Sequence, residues 1–189
     1  MNERKKSMNA IKNLGSVGLS GTAVVSDPCY DRDVWCMQTG LPVKPGRYKA
    51  MAIYSDEKEW GVRVANLVLV HEDYLKDTKN DWSPVCASIG VDSGQCGIFD
   101  DAVYPESKGH PDREPFYDEC CGITLAKESA GILASGRGVV SGSGYGDGSY
   151  ELFAKTEDNQ YVALMLDYGL LEMRMAMQML TDGQGEDDV

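Results

Sequence analysis

Apolar and polar positions along this chain alternate in short runs, and helical spacing is confined to one segment near the end. Residues 46–54 place Tyr48, Ala50, Ala52 and Tyr54 on one side and Arg47, Lys49, Met51 and Ile53 on the other. After a polar turn at 55–59 comes the longest strand candidate, 60–71, with Val62, Val64, Val68 and Val70 on one face and Leu67 and Leu69 on the other. The pair predicts an antiparallel hairpin with one deeply buried strand. Residues 19–26 form a short apolar run that ends at the turn initiator Asp27-Pro28. Further strands are predicted at 84–91, 95–99, 138–141, 150–155 and 161–167, the last two joined by a polar turn at 156–160 as a second hairpin. Strands at this spacing predict a mainly β fold, an antiparallel β-sandwich or partly closed barrel.

The helix predicted from the pattern spans 168–180 at the C-terminal end. Its apolar arc, rich in methionine, is too wide for a helix with one face in water, so it is expected to pack on the sheet, with a partner contact as the alternative. Residues 104–118, with three prolines and mixed charges, read as a long surface loop. The predicted organisation is a flexible lead at 1–17, one β-rich domain at 18–180 and a frayed acidic tail at 181–189.

Two segments break the strand pattern with glycines beside aspartates and aromatics. They are GVDSGQCGIFDDAVY at 90–104 and GSGYGDGSY at 142–150. Such glycines mark turns, bulges or points of close approach, so the two are expected to lie together with a glycine of each in a turn. A ligand site there would draw on Asp92, Gln95, Asp100, Tyr145 and Asp147.

Charge narrows the partners. The net charge is −12 over 189 residues; the tail supplies −4 and the opening twelve residues +3, which leaves −11 on the body. Such a body repels phosphate backbones, which argues against direct nucleic-acid binding, and favours a basic protein partner or a divalent cation. Seven acids fall within residues 100–119, namely Asp100, Asp101, Glu106, Asp112, Glu114, Asp118 and Glu119, against Lys108 and Arg113. They are the candidate interaction rim. No run approaches the ~20 apolar residues of a membrane span, and the opening has a basic start without an apolar core. The expected location is the cytoplasm, with the six cysteines, none in a CxxC pair, as reduced thiols.

Catalytic signals are sparse. Gly94-Gln95-Cys96 resembles the nucleophile segment of transglutaminase-like and papain-like thiol enzymes, but Gly97 stands where an aromatic residue is expected, and only His71 and His110 could serve as base. A buried strand cysteine is the competing reading of Cys96. Asp92, Asp100 and Asp147 could gather around a divalent cation, although neither segment offers the alternating ligands of an EF-hand loop, and no other cofactor is predicted.

The V-D-S-G-Q-x-G-I-F-D segment (91–100), the later G-Y-G-D-G-x-Y segment (144–150) and the early S-D-P-C-Y (26–30) together resemble a bacterial and phage family catalogued as domain of unknown function 4241. The resemblance spans roughly 26–167. It implies a β-rich fold and carries no catalytic residues to transfer. Charge and resemblance together point to a non-enzymatic acidic binding or inhibitor protein of a phage or mobile element. Anti-restriction and anti-CRISPR proteins are its analogues, and its target would be a basic surface on a nucleic-acid-processing protein. The alternative is a β-domain that binds a small molecule or divalent cation through its Gly/Asp segments, and a Cys96-dependent hydrolase is a third.

Overall fold

A computed structural model of the protein describes residues 9–107 and 109–183, the side chains of residues 86 and 87 excepted. Expectations placed on residues 1–8, 184–189 and Lys108, and on the Cys86 thiol, lie outside the described residues.

Eleven strands and two helices make up the described fold. The strands are β1 (Ala10–Leu19), β2 (Thr22–Ser26), β3 (Gln38–Pro42), β4 (Gly46–Asp56), β5 (Val62–His71) and β6 (Ser83–Val91), then β7 (Gln95–Asp100), β8 (Ala130–Ile132), β9 (Gly138–Gly142), β10 (Gly148–Glu157) and β11 (Gln160–Asp167). Helix α1 (Arg113–Thr124) lies between β7 and β8, and α2 (Met173–Gly183) follows β11. Six strands form one sheet in the order β1-β4-β5-β11-β10-β6, and five form another in the order β3-β2-β7-β9-β8. Every pairing within the two sheets is antiparallel. The fold is an antiparallel β-sandwich with a C-terminal helix, and neither sheet closes into a barrel.

Both faces of both sheets are apolar, which explains why the central strands read as continuous hydrophobic runs. Between the sheets, Tyr48, Ala50 and Ala52 of β4, Leu67 and Leu69 of β5, and Leu164 and Leu166 of β11 meet Ala23, Val25, Ile98 and Val139. On the outer face of the six-stranded sheet, Met51, Ile53, Val68, Val70 and Met165 pack under Ala176 and Leu180 of α2. The methionine-rich helix therefore covers its own sheet. On the outer face of the other sheet, Val24, Phe99 and Val140 pack under Phe116 and Cys120 of α1. The layers run helix, sheet, sheet, helix.

The structure corrects the sequence reading in four places. The lead ends earlier than residue 17, because β1 pairs with β4 from Ala10↔Tyr54 to Leu19↔Gly46. Its polar composition hid it: Val17 and Leu19 are its fully inward residues, and a bulge between Asn13 and Gly15 breaks the alternation. Val62 and Val64 do not share a face with Val68 and Val70. The β4–β5 register skips a residue between Ile53↔Asn66 and Tyr54↔Val64, so Val64 joins Leu67 and Leu69 between the sheets while Val62 is exposed. The loop at 104–118 ends in α1, whose Pro115 sits in the first turn, where the ring costs no hydrogen bond. Finally, α2 runs from Met173 to Gly183 rather than over 168–180, so residues 181–183 of the expected tail are helical. Gly169 has φ +72°, and Tyr168 is drawn into the core, its N–H donating to the Ala65 carbonyl and its ring at 5.1 Å from that of Tyr150.

Phe99 anchors the face beneath α1, with its ring centroid 5.1 Å from Phe116 and 5.6 Å from Tyr104. The ring folds back over Gly97, where a β-carbon would collide with it and sit 2.7 Å from the Val139 carbonyl oxygen. One expected outcome is that Gly97→Ala destabilises the protein by about 3 kcal/mol in a urea titration, the upper end for overpacking, because the backbone oxygen has nowhere to move. A loss below about 1 kcal/mol would show that Phe99 can swing aside.

Candidate functional site

The S-D-P-C-Y and V-D-S-G-Q segments meet at one carboxylate. Asp27, at the end of β2, is fully buried. Its Oδ1 accepts from the Cys29 N–H (2.8 Å) and the Ser93 hydroxyl (2.6 Å), and its Oδ2 from the N–H groups of Asp92 (2.8 Å) and Ser93 (2.7 Å). Four donors suit an ionised carboxylate and satisfy it. Around this clamp the Tyr104 hydroxyl reaches the Tyr30 carbonyl at 2.7 Å, while Arg32 donates to the Asp101 carboxylate and to the carbonyls of Asp101 and Tyr104. The β6–β7 turn, the chain after β2 and the approach to α1 are thereby fixed to one another. Sequence reasoning took Asp27 for a turn former; its burial follows from partners distant in the chain.

The two Gly/Asp segments do lie together. Gly148 pairs with Val91, Gln95 pairs with Gly142, and the Ser143 N–H donates to the Gly94 carbonyl at 3.1 Å. Gly94 (φ +69°) and Gly146 (φ +112°) hold left-handed turns that a side chain would strain. The Tyr150 hydroxyl closes the second turn on the carbonyls of Ser143 (3.0 Å) and Gly146 (2.7 Å).

The five residues assigned to a ligand there are nonetheless divided. Asp92 and Asp147 are exposed in the adjacent turns. Gln95 is buried, its amide on Cys121 Sγ at 3.3 Å and its carbonyl accepting from Thr124 of α1. Asp100 is fully buried and accepts from Ser20, the Ala102 N–H and Arg137 Nη2 at 2.9 Å. Tyr145 donates to Glu57 and lies under the Arg63 guanidinium, 5.2 Å from the ring centroid. Among the described residues no group of three or more His, Cys, Asp or Glu side chains is placed to hold a metal ion.

Cys96 is fully buried between the sheets. His71 is tied to the Pro45 carbonyl and the Asp73 N–H, and His110 is exposed ahead of α1. Cys29, Cys36, Cys96, Cys120 and Cys121 are thiols rather than disulfides. The Cys29 thiol, half-buried beside Asp27, is pushed up to about 12, first by burial and then by the Asp27 charge.

The acids at 100–119 separate into an inner and an outer set. Asp100 belongs to the core, not to a rim; Asp101 is ion-paired with Arg32, and Glu119 accepts from the Ala134 N–H. Glu106 and Asp112 are 70% and 81% exposed, and Glu114 and Asp118, a turn apart on α1, are exposed as well. The described arginines of this face are mostly buried, and Arg32 Nε also lies 3.7 Å from the Glu106 carboxylate. Arg32 is 16% exposed, Arg113 is 13% exposed and pairs with Asp31 at 3.5 Å, and both guanidiniums flank the Tyr104 ring at 5.6 and 6.0 Å. A groove of about 740 Å³ crosses the face between Cys29, Asp31, His110, Arg113, Glu114 and Tyr117.

No protein family, curated protein or solved structure was found to match the chain. No helix among the described residues is long and apolar enough to cross a membrane.

The clamp and the thiol each generate a prediction. Asp27→Ala strands four donors and should cost about 3 kcal/mol of unfolding free energy, whereas Asp92→Ala, which leaves the clamping N–H in place, should stay within about 0.5 kcal/mol. Equal losses in a urea titration would mean that the clamp does not organise the turn. For Cys29, a raised thiol value means less thiolate at a given pH. Iodoacetamide at pH 8 should alkylate it roughly two to three orders of magnitude more slowly than an unfolded cysteine. Mass spectrometry of the digested protein reads this directly, and labelling at the unfolded rate would contradict it.

Proposed function

We propose that this protein is a non-enzymatic acidic binding protein whose α1 face docks on a basic surface of another protein. The observation that carries the reading is the sorting of charge on that face. Asp112, Glu114 and Asp118 are exposed, as is Glu106 although it lies 3.7 Å from Arg32 Nε, while the Arg32 and Arg113 side chains are mostly buried against Asp101, Asp31 and backbone carbonyls. A face on which exposed acids outnumber exposed cations steers a cationic partner. A protein that handles nucleic acid presents the matching Lys/Arg-lined surface, on which carboxylates compete with phosphates. Inhibition of such a protein in a bacterial cytoplasm, by a phage or mobile-element product, is the setting that agrees with the motif resemblance.

The test is neutralisation of the outer set in the combined variant Glu106→Gln, Asp112→Asn, Glu114→Gln, Asp118→Asn. These exposed charges contribute little to folding, so the thermal midpoint should hold to within about 2 °C. A protein captured from bacterial lysate by the wild type should then associate at least about tenfold more slowly with the variant at low salt, and the difference should shrink as salt rises. Unchanged association rates at low salt would refute docking through this face.

A further inference from the structure

The molecule also carries a cleft of about 550 Å³, within the range of small-molecule sites. It opens where β1 and β5 of the larger sheet face the segment that leads into β8. Its apolar wall comes from Tyr54, Val62 and Val64, and Gly142 and Gly144 add lining without side chains. The charged residues that line it are Lys12, Arg63, Lys127 and Glu128, three cations to one acid in a protein of net charge −12. Glu128 is already spent on Lys12, at 2.9 Å.

Arg63 is held ready in this wall. One guanidinium nitrogen donates to the Gly144 carbonyl at 3.0 Å, the group stacks on Tyr145, and Nε has no protein acceptor. In the hairpin turn before β5, Glu57 accepts from the Tyr145 hydroxyl and Trp60 is 68% exposed, as is Val62 at the start of β5. Val62 thus leaves apolar surface in water in the wall of a cationic cleft, which suits a ligand with both characters.

We infer that this cleft binds an amphipathic carboxylate, a molecule with an apolar body and one anionic head. The body lies against Tyr54, Val62 and Val64, and the head meets Arg63 and Lys127. A polyphosphate is a poorer match, because these walls offer no helix N-terminus and few backbone donors to desolvate several charges. The site is independent of the acidic α1 face.

Isothermal titration with decanoate, decanol and decyltrimethylammonium, all below micelle formation, tests it. Decanoate should bind one to one, decanol about tenfold more weakly and the cation not at all. Lys127→Glu should weaken decanoate by about tenfold and leave decanol unchanged, separating charge recognition from apolar burial. Val62→Glu, at an exposed position that the fold tolerates, should weaken both. The inference is overturned if none of the three binds, if all three bind alike, or if Lys127→Glu leaves decanoate affinity unaltered.

Discussion

A carboxylate withdrawn from water is costly unless donors replace its hydration, and at Asp27 they do so completely, from three different residues. This one group decides how the end of β2 meets the β6–β7 turn. Because the Ser143 N–H in turn bonds the Gly94 carbonyl, the β9–β10 turn is fixed to the same point, and Gln95 carries the connection onward to Thr124 of α1. Four separate stretches of chain are thus linked through the turn that this buried carboxylate holds. Removing it leaves orphaned donors rather than a simple gap, a more severe defect than a lost contact.

The two outer helices solve a related problem. A sandwich normally leaves the outer face of each sheet to water, yet here Phe99 and Val140 on one side and Val68 and Met165 on the other are fully buried. Each helix caps an apolar surface that its sheet cannot hide alone. The acidic residues of α1 occupy the side of the helix left over after Phe116 and Cys120 are committed inward. The docking face and the hydrophobic packing are therefore two sides of one element.

Strand existence was legible in the sequence where apolar residues dominate both faces, as in the β4–β5 and β10–β11 hairpins. It was illegible where pairing rather than composition makes the strand. β1 exists because β4 offers it a ladder, and Leu14 and Val17 alone give no periodic signal. The bulge opposite Tyr54 reversed the facing of Val64, since strict alternation fails at any inserted residue. Helix α1 did leave a trace, Phe116, Cys120 and Ile123 at helical spacing, which the neighbouring prolines obscured. The proximity of the two Gly/Asp segments was readable from their shared composition. The fate of their polar side chains was not, because Gln95 and Asp100 find their partners on α1, in the chain between β1 and β2, and at Arg137.

Four strands end the two sheets, and an unguarded strand edge invites pairing with another chain. β1 is broken by its bulge, and its Gly18 N–H is taken by the Gly136 carbonyl. β6 begins with Ser83-Pro84, slips register twice against β10, and gives its Gly90 N–H to the Cys36 carbonyl. β3 is five residues long and closes on Pro42, and β8 has only three residues. Each border of the sandwich is short, kinked or covered from within. Edge-to-edge stacking of copies thus finds no long flat template among the described strands.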